Sequence, residues 1–108
     1  MEEKSQIKKY FFYVLLCADG TLYGGFTTDL KHRLHAHNTG HGAKYTRVKK
    51  RRPVKIIHYE IFQKKTLALK AEYAFKHQSR AKKVAYLKSC GLNDDIFLSL
   101  KRKTDKFA

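Results

Sequence analysis

Acidic residues, cysteine and proline are all scarce in this chain: 9 Asp and Glu stand against 24 Lys and Arg, with two cysteines, one proline and no tryptophan in 108 residues. Cys17 and Cys90 are too few and too isolated for a disulfide framework or a cysteine-based metal cluster. Cys17 lies in an apolar run, where a thiol packs as a small hydrophobe. No repeat, linker or low-complexity block interrupts the chain. The longest uncharged apolar run, Tyr10 to Ala18, is far too short to span a bilayer. It follows two lysines, as the core of a secretory signal does, but Asp19-Gly20 closes it and no small-residue cleavage site follows. A cytoplasmic location without membrane insertion is the expectation. Sequences of the form GxxxxGK[ST], GxGxxG and GxSxG are missing, which removes P-loop nucleotide hydrolysis and serine-hydrolase chemistry. His32, His35, His41, His58 and His77 lack HExxH or Cys/His zinc spacing and read as surface residues or donors near phosphate.

What the chain has in abundance is positive charge, a formal +15 with a pI near 10.0. Such a surface repels itself unless it meets a polyanion, so nucleic acid is the first partner to consider and an anionic membrane the second. A solubility surface or a small ribosome-associated protein carries the same charge. No basic amphipathic helix with a large apolar face is visible, which argues against the membrane. The length suits one domain, with 1–8 as a frayed start, 9–90 as the folded unit and 91–108 as a short basic extension.

The apolar pattern predicts an α+β fold, a small three-stranded antiparallel sheet flanked by helices in the order ββαβαα. "YFFYVLLC" (10–17) is apolar on both alternating faces, as a covered central strand requires. "ADG" is a turn signal, and "TLYGGF" follows as a second strand. In the simplest register facing residue numbers add up to about 39, which sets Tyr13 off from Tyr23 unless a bulge or longer loop brings the rings together. A first helix is expected to begin at Thr27 or Thr28 as N-cap, with Asp29 in its first turn, and to stop at Asn38 and Gly40. Leu30 and Leu34 form its apolar stripe. Residues 41–55 read as a basic loop, and "PVKIIHYEIF" as an edge strand in which Ile57, Tyr59 and Ile61 alternate with His58 and Glu60. Two helices follow, the second capped by Ser79 and stopped by Gly91, and a short one is expected from Asn93.

Several polar residues stand out. Arg33 and His37 are one turn apart beside the leucine stripe, at the margin of core and solvent. They make either a phosphate site or a snorkelling arginine and a surface histidine. Glu72 is the sole acid between Ile61 and Asn93, either a single-carboxylate Mg²⁺ ligand or the partner of Lys76 in an ordinary helical pair. "KYTRVKKRR" interleaves Lys44, Arg47, Lys49, Lys50, Arg51 and Arg52 with Tyr45, a composition suited to tracking a phosphate backbone or to a solvated loop. Gly24 and Gly25, inside a strand and directly after Tyr23, mark a bulge or a close approach to the backbone.

Together these residues resemble the GIY-YIG nuclease family, and most closely its small stand-alone bacterial members. "FYV" (12–14) and "YGG" (23–25) stand where the two name-giving motifs lie, and Arg33, His37 and Glu72 follow at the family's cadence. "HNTGHGAKYTR", "RPVKIIHYEIF" and "ALKAE" followed by "SRAKK" are also typical of the small members. Gly24 replaces the usual Ile or Val, and Phe11-Phe12 stand where Gly-Ile is usual. The resemblance implies a metal-dependent endonuclease that hydrolyses phosphodiester bonds, in DNA ahead of RNA, in DNA repair or processing. It implies Tyr13, Tyr23, Arg33, His37 and Glu72 as catalytic residues and Mg²⁺ or Mn²⁺ on Glu72. Tyr13 or Tyr23 would orient or deprotonate the attacking water, Arg33 neutralise the phosphoryl oxygens and His37 assist as a donor or proton shuttle. Gly25 would leave room for a phosphodiester, with Lys44, Tyr45, Arg47, Lys49, Lys50, Arg51 and Arg52 along the nucleic acid. A protein partner could supply specificity. The alternative is a non-catalytic nucleic-acid-binding module that retains the fold.

Overall fold

The middle strand is the most apolar stretch of the chain, and both of its faces are covered. In the computed structural model, which describes residues 8–93, β1 (Tyr10–Leu16) is flanked by β2 (Leu22–Thr27) and β3 (Lys55–Phe62), with both pairings antiparallel. Between β2 and β3 lie α1 (Leu30–Asn38), the single-turn helix α2 (Lys44–Arg47) and a 3-10 turn (Lys49–Arg51); α3 (Lys65–Lys76) and α4 (Arg80–Ser89) follow β3. Alternation along β1 divides the core in two. Phe12, Val14 and Leu16 join Leu22, Phe75 and Leu87 beneath α3 and α4. Tyr13, Leu15 and Cys17 join Val54, with Leu30, Leu34 and Tyr45 of α1 and α2 packed on them.

The expected α+β class and three-stranded antiparallel sheet are present. Helical structure inside 41–55 was not expected: α2 and the 3-10 turn are too short for an apolar period, and Thr46, buried between basic residues, anchors α2 from within. The first helix also starts later than expected. Asp29 is its N-cap, accepting from the His32 amide at 3.0 Å, while the Thr27 hydroxyl accepts from the Asp29 amide. Ser79 caps α4, whose far end closes when the Gly91 amide donates to the Lys88 carbonyl and that of Leu92 to the Leu87 carbonyl. The helix expected from Asn93, the end 101–108 and the start 1–7 lie outside the described residues.

The hairpin register differs from the expected one by a single residue, with large consequences. The β1–β2 connection is a three-residue loop, Ala18-Asp19-Gly20, with Gly20 at φ 87° and the Cys17 amide donating to the Thr21 carbonyl at 2.9 Å. The Asp19 carboxylate accepts from the Thr21 hydroxyl at 2.6 Å and from its amide at 3.2 Å. Tyr13 therefore pairs with Gly25, and Leu15 with Tyr23. A two-residue loop would have turned Tyr23 to the opposite face, since a slip of one residue inverts every side chain. As it is, Tyr13 and Tyr23 share a face without any bulge between their strands.

β3 carries a bulge opposite Val14 and Leu15, where pairing jumps from His58 to Ile56. Beyond it, His58 and Glu60 pair with Val14 and Phe12, on the α3/α4 face. Tyr59 and Ile61, the apolar members of the alternation, are each 51% exposed. The reading of His58 as a surface residue is corrected: its side chain is 13% exposed and sits 2.8 Å from Glu60.

The two adjacent glycines serve opposite faces. A Cβ on Gly24 would come within 2.9 Å of the Phe75 ring, and one on Gly25 would overlap the Tyr13 ring. The close approach that the glycines signal is made by the protein's own rings. Gly25→Ala is expected to cost about 2 kcal/mol of unfolding free energy, as overpacking does, measured by urea denaturation. An unfolding curve matching that of the wild type would mean that Tyr13 can swing aside.

Candidate active site at the glycine edge of the sheet

Tyr13 begins a chain of hydrogen bonds that ties the sheet to α1 and α2. Its hydroxyl lies 2.8 Å from His37 Nε2, and His37 Nδ1 lies 2.7 Å from the Thr46 hydroxyl. Thr46 in turn donates to the Ala43 carbonyl at 3.3 Å. Because that uses its one proton, Thr46 Oγ1 accepts from His37 Nδ1–H and Tyr13 O–H donates to Nε2, a tautomer assigned from the network. His37 is fully buried, with Tyr13 and Tyr23 edge-on to its ring. Gly42 makes room for it, since a Cβ there would meet Nδ1 at 2.5 Å.

Burial, then the Arg33 charge, pushes the His37 imidazole down from 6.5 to about 4, so it is neutral at physiological pH. Burial also drives the Tyr13 phenol well above its ordinary 10.0; Tyr23 adds to the rise, Arg33 opposes it, and Glu72 adds again. Tyr13 therefore holds its proton more tightly than an ordinary phenol. His37 was expected at the rim of the core, and this too is corrected: it is sealed inside, with both ring nitrogens engaged.

Around this buried chain lies a more open layer. Tyr23 is half-buried and stacks on Tyr45, ring centroids 5.5 Å apart. The Arg51 guanidinium covers Tyr45 at 3.8 Å, and the Lys76 ammonium lies 5.3 Å from the centre of the Tyr23 ring. Lys76 also pairs with Glu72 at 3.1 Å. Tyr23 faces α1 and α2, whereas Glu72 and Lys76 belong to α3 on the other face, so the groups meet around β2, an edge strand narrowed by its glycines. Arg33 donates to the Gly42 carbonyl at 3.4 Å and acts on both Tyr13 and His37.

The structure thus brings Tyr13, Tyr23, Arg33, His37 and Glu72 to one edge. The helical pair of Glu72 with Lys76 is present, but beside Tyr23 rather than on a remote surface. Gly25 lies under the Tyr13 ring. Among the basic residues, Lys44, Arg47, Lys49 and Lys50 are exposed. Arg51 pairs with Asp19 and donates to the Tyr45 carbonyl, and Arg52 donates to the Arg47 carbonyl. Both arginines shape the segment that carries the others. Thr46, Gly42 and Lys76 complete the cluster without having been marked as site residues. Lys76 was visible as the Glu72 partner, but a buried threonine inside a basic stretch leaves no signal in sequence.

Neutral His37 links stability to pH. The unfolded chain binds this proton near pH 6.5 and the folded one only near 4, so the contribution is complete above 6.5 and is lost as pH falls toward 4. It amounts to at most about 3 kcal/mol. His37→Gln, which cannot titrate, should show a smaller loss of unfolding free energy between pH 7 and about pH 4.5 in urea titrations. An equal loss in variant and wild type would mean that His37 does not titrate in that window.

A family model described as the GIY-YIG catalytic domain matches residues 9–85. A UPF0213 protein of Lactiplantibacillus plantarum is 69% identical over 81 residues, spanning 75% of this chain and 80% of that protein. A UPF0213 protein of Enterococcus faecalis is 55% identical, over 82% of this chain and 98% of its own. A solution NMR structure of an E. faecalis protein superposes with a TM-score of 0.55 at 55% identity, covering 80% of this chain and 90% of that one. That of a UPF0213 protein from Bacillus halodurans gives 0.52 at 37% identity, over 77% and 86%. With the family model spanning well over half of its residues, the chain belongs to the GIY-YIG catalytic domain family.

Proposed function

We propose that the protein is an endonuclease that hydrolyses phosphodiester bonds in DNA with a divalent cation, Mg²⁺ or Mn²⁺, on Glu72. The observation that supports this most is the convergence of Tyr13, Tyr23, Arg33 and Glu72, from four elements, at one edge of a nuclease-family domain. The donor set suits a hard cation: Glu72 is one carboxylate, 19% exposed and paired, among the described residues, only with the exposed Lys76, and magnesium often takes one or two carboxylates and keeps several waters. Such a cation supplies Lewis-acid polarisation of a non-bridging oxygen and stabilisation of the leaving oxyanion.

The remaining steps belong to the chain's own side chains. Arg33 keeps guanidinium donors beyond the one on Gly42 and neutralises charge growing on the phosphoryl oxygens. Tyr23, the less buried of the two phenols, orients the attacking water. Tyr13 and His37 act as positioning residues, holding Tyr23 and α1 in place through the chain that ends at Thr46. Lys44, Arg47, Lys49 and Lys50 follow the backbone beside Tyr45, on the segment whose shape Arg51 and Arg52 hold. Such contacts carry little sequence information, so specificity comes from nucleic-acid shape or from a protein partner. The role is in DNA repair or processing. Unpaired Cys17 and Cys90 suit the reducing cytoplasm, and among the described residues no helix is long and apolar enough to cross a membrane.

Nicking of supercoiled DNA should require Mg²⁺ or Mn²⁺ and fall at least about a hundredfold in Arg33→Ala and Glu72→Ala proteins that keep the wild-type circular dichroism. DNA retention without any metal-dependent cleavage by the wild type would leave a binding module instead. The double variant Lys49→Ala/Lys50→Ala is expected to weaken binding evenly across sequences and reduce the log–log salt slope by about 2. An unchanged slope would take these lysines off the nucleic-acid surface.

A further inference from the structure

The opposite edge of the sheet carries a second group of chemistry-bearing side chains, separate from the glycine edge. The β3 bulge turns His58 and Glu60 toward the helices, where a strand with this alternation would ordinarily place Tyr59 and Ile61. On a strand, residues two apart share a face, and on a helix so do residues four apart. The first rule aligns His58 with Glu60; the second aligns Tyr86 with Cys90 on α4, above them. His58 Nε2 is 2.8 Å from Glu60 Oε2, and the Tyr86 hydroxyl donates to that same carboxylate oxygen. The imidazole, carboxylate and thiol ligand atoms of His58, Glu60 and Cys90 all lie within 4.8 Å of one another.

From this geometry we propose that His58, Glu60 and Cys90 form a binding site for a borderline-soft divalent cation of the zinc class. One imidazole nitrogen, one carboxylate oxygen and one thiolate leave a fourth position for water, a donor set that favours zinc over magnesium. With metal–ligand bonds of about 2.0–2.3 Å, a tetrahedral ion holds its ligand atoms about 3.3–3.6 Å apart. The His58–Glu60 contact has only to open slightly and Cys90 to close in. Binding exchanges the hydrogen bond between them for two bonds to the metal: the proton on His58 Nε2 passes by way of solvent to Nδ1, leaving a neutral imidazole whose Nε2 lone pair is free, and the Cys90 thiol releases its proton to solvent.

The surroundings hold the ligands near these positions. The His58 ring is packed edge-on against Phe12 and Tyr86, with centroids 6.3 and 5.9 Å away. Tyr86 orients Glu60 through its hydroxyl. Cys90 occupies the C-cap of α4, its amide 3.1 Å from the Tyr86 and Leu87 carbonyls, and the Gly91 and Leu92 bonds beyond it fix the turn. A cation here would pin the end of α4 to the edge strand. Nothing in this site depends on the nuclease reading, because Glu72 and the phenols of the other edge take no part.

Titrating the full chain with Co²⁺ tests the site directly. One equivalent should produce tetrahedral visible bands with a near-ultraviolet sulfur-to-cobalt band, displaced by Zn²⁺ but not by excess Mg²⁺. Cys90→Ser should abolish the sulfur band, His58→Ala should weaken binding by at least about tenfold, and Glu72→Gln should leave it unchanged. Zn²⁺ should also raise the melting temperature of the wild type reversibly with a chelator, and not that of His58→Ala. Absence of a sulfur band, or its survival in Cys90→Ser, would overturn the proposal, as would equal Zn²⁺ stabilisation of both proteins.

Discussion

Tyr13 lies across the bare backbone of Gly25, and nearly everything at the candidate site follows from that contact. The ring fits because no Cβ opposes it. The hydroxyl at its far end then reaches His37, and through it Thr46, so one side chain couples the central strand to two helices. The contact needs Tyr13 and Gly25 to be direct partners. Three residues, Ala18-Asp19-Gly20, guarantee this by closing the hairpin with an odd-numbered loop. The same loop joins the basic segment to the hairpin, since Asp19 pairs with Arg51 and the Ala18 amide donates to the Arg51 carbonyl.

This arrangement separates a rigid interior from a reactive rim. His37 and Tyr13 are buried in their neutral forms, each meeting the other's hydrogen-bonding need, and buried polar groups satisfied in this way specify a single packing. Their charged neighbours, Arg33, Glu72 and Lys76, stand at the margin, where solvent offsets the cost of ionisation. Tyr23 bridges the two zones, with one edge against His37 and its ring beneath Lys76. The glycine pair makes both approaches possible, Gly24 for α3 and Gly25 for Tyr13.

The sheet has two edges, and each gathers polar side chains by a different device. At β2 the device is small residues, which let opposite layers approach around the strand. At β3 it is an extra residue in the pairing, which turns His58 and Glu60 inward beneath Tyr86 and exposes Tyr59 and Ile61. A period-2 pattern in sequence does not distinguish the two orientations of a strand once a bulge intervenes.

The identity and order of the three strands and of the longer helices α1, α3 and α4 were determined by the sequence itself. The aromatic and aliphatic run of β1, the Asp19-Gly20 turn, the Leu30/Leu34 spacing and the Ser79 cap are local signals, and local chemistry decides them. Tyr13, Tyr23, Arg33, His37 and Glu72 were singled out through their resemblance to a family's motifs, and the pairing of Glu72 with Lys76 through their helical separation. Tertiary structure alone decided how deep each group lies and which way it faces. His37 is interior because α2 folds over it and supplies Thr46, and α2 itself is too short to announce its presence. The register could not be read from the turn residues, because Asp-Gly closes two-residue and three-residue loops alike, while one residue decides the face on which Tyr23 appears. The sequence names the neighbours along a chain; burial and register, which depend on distant segments, decide which of them meet.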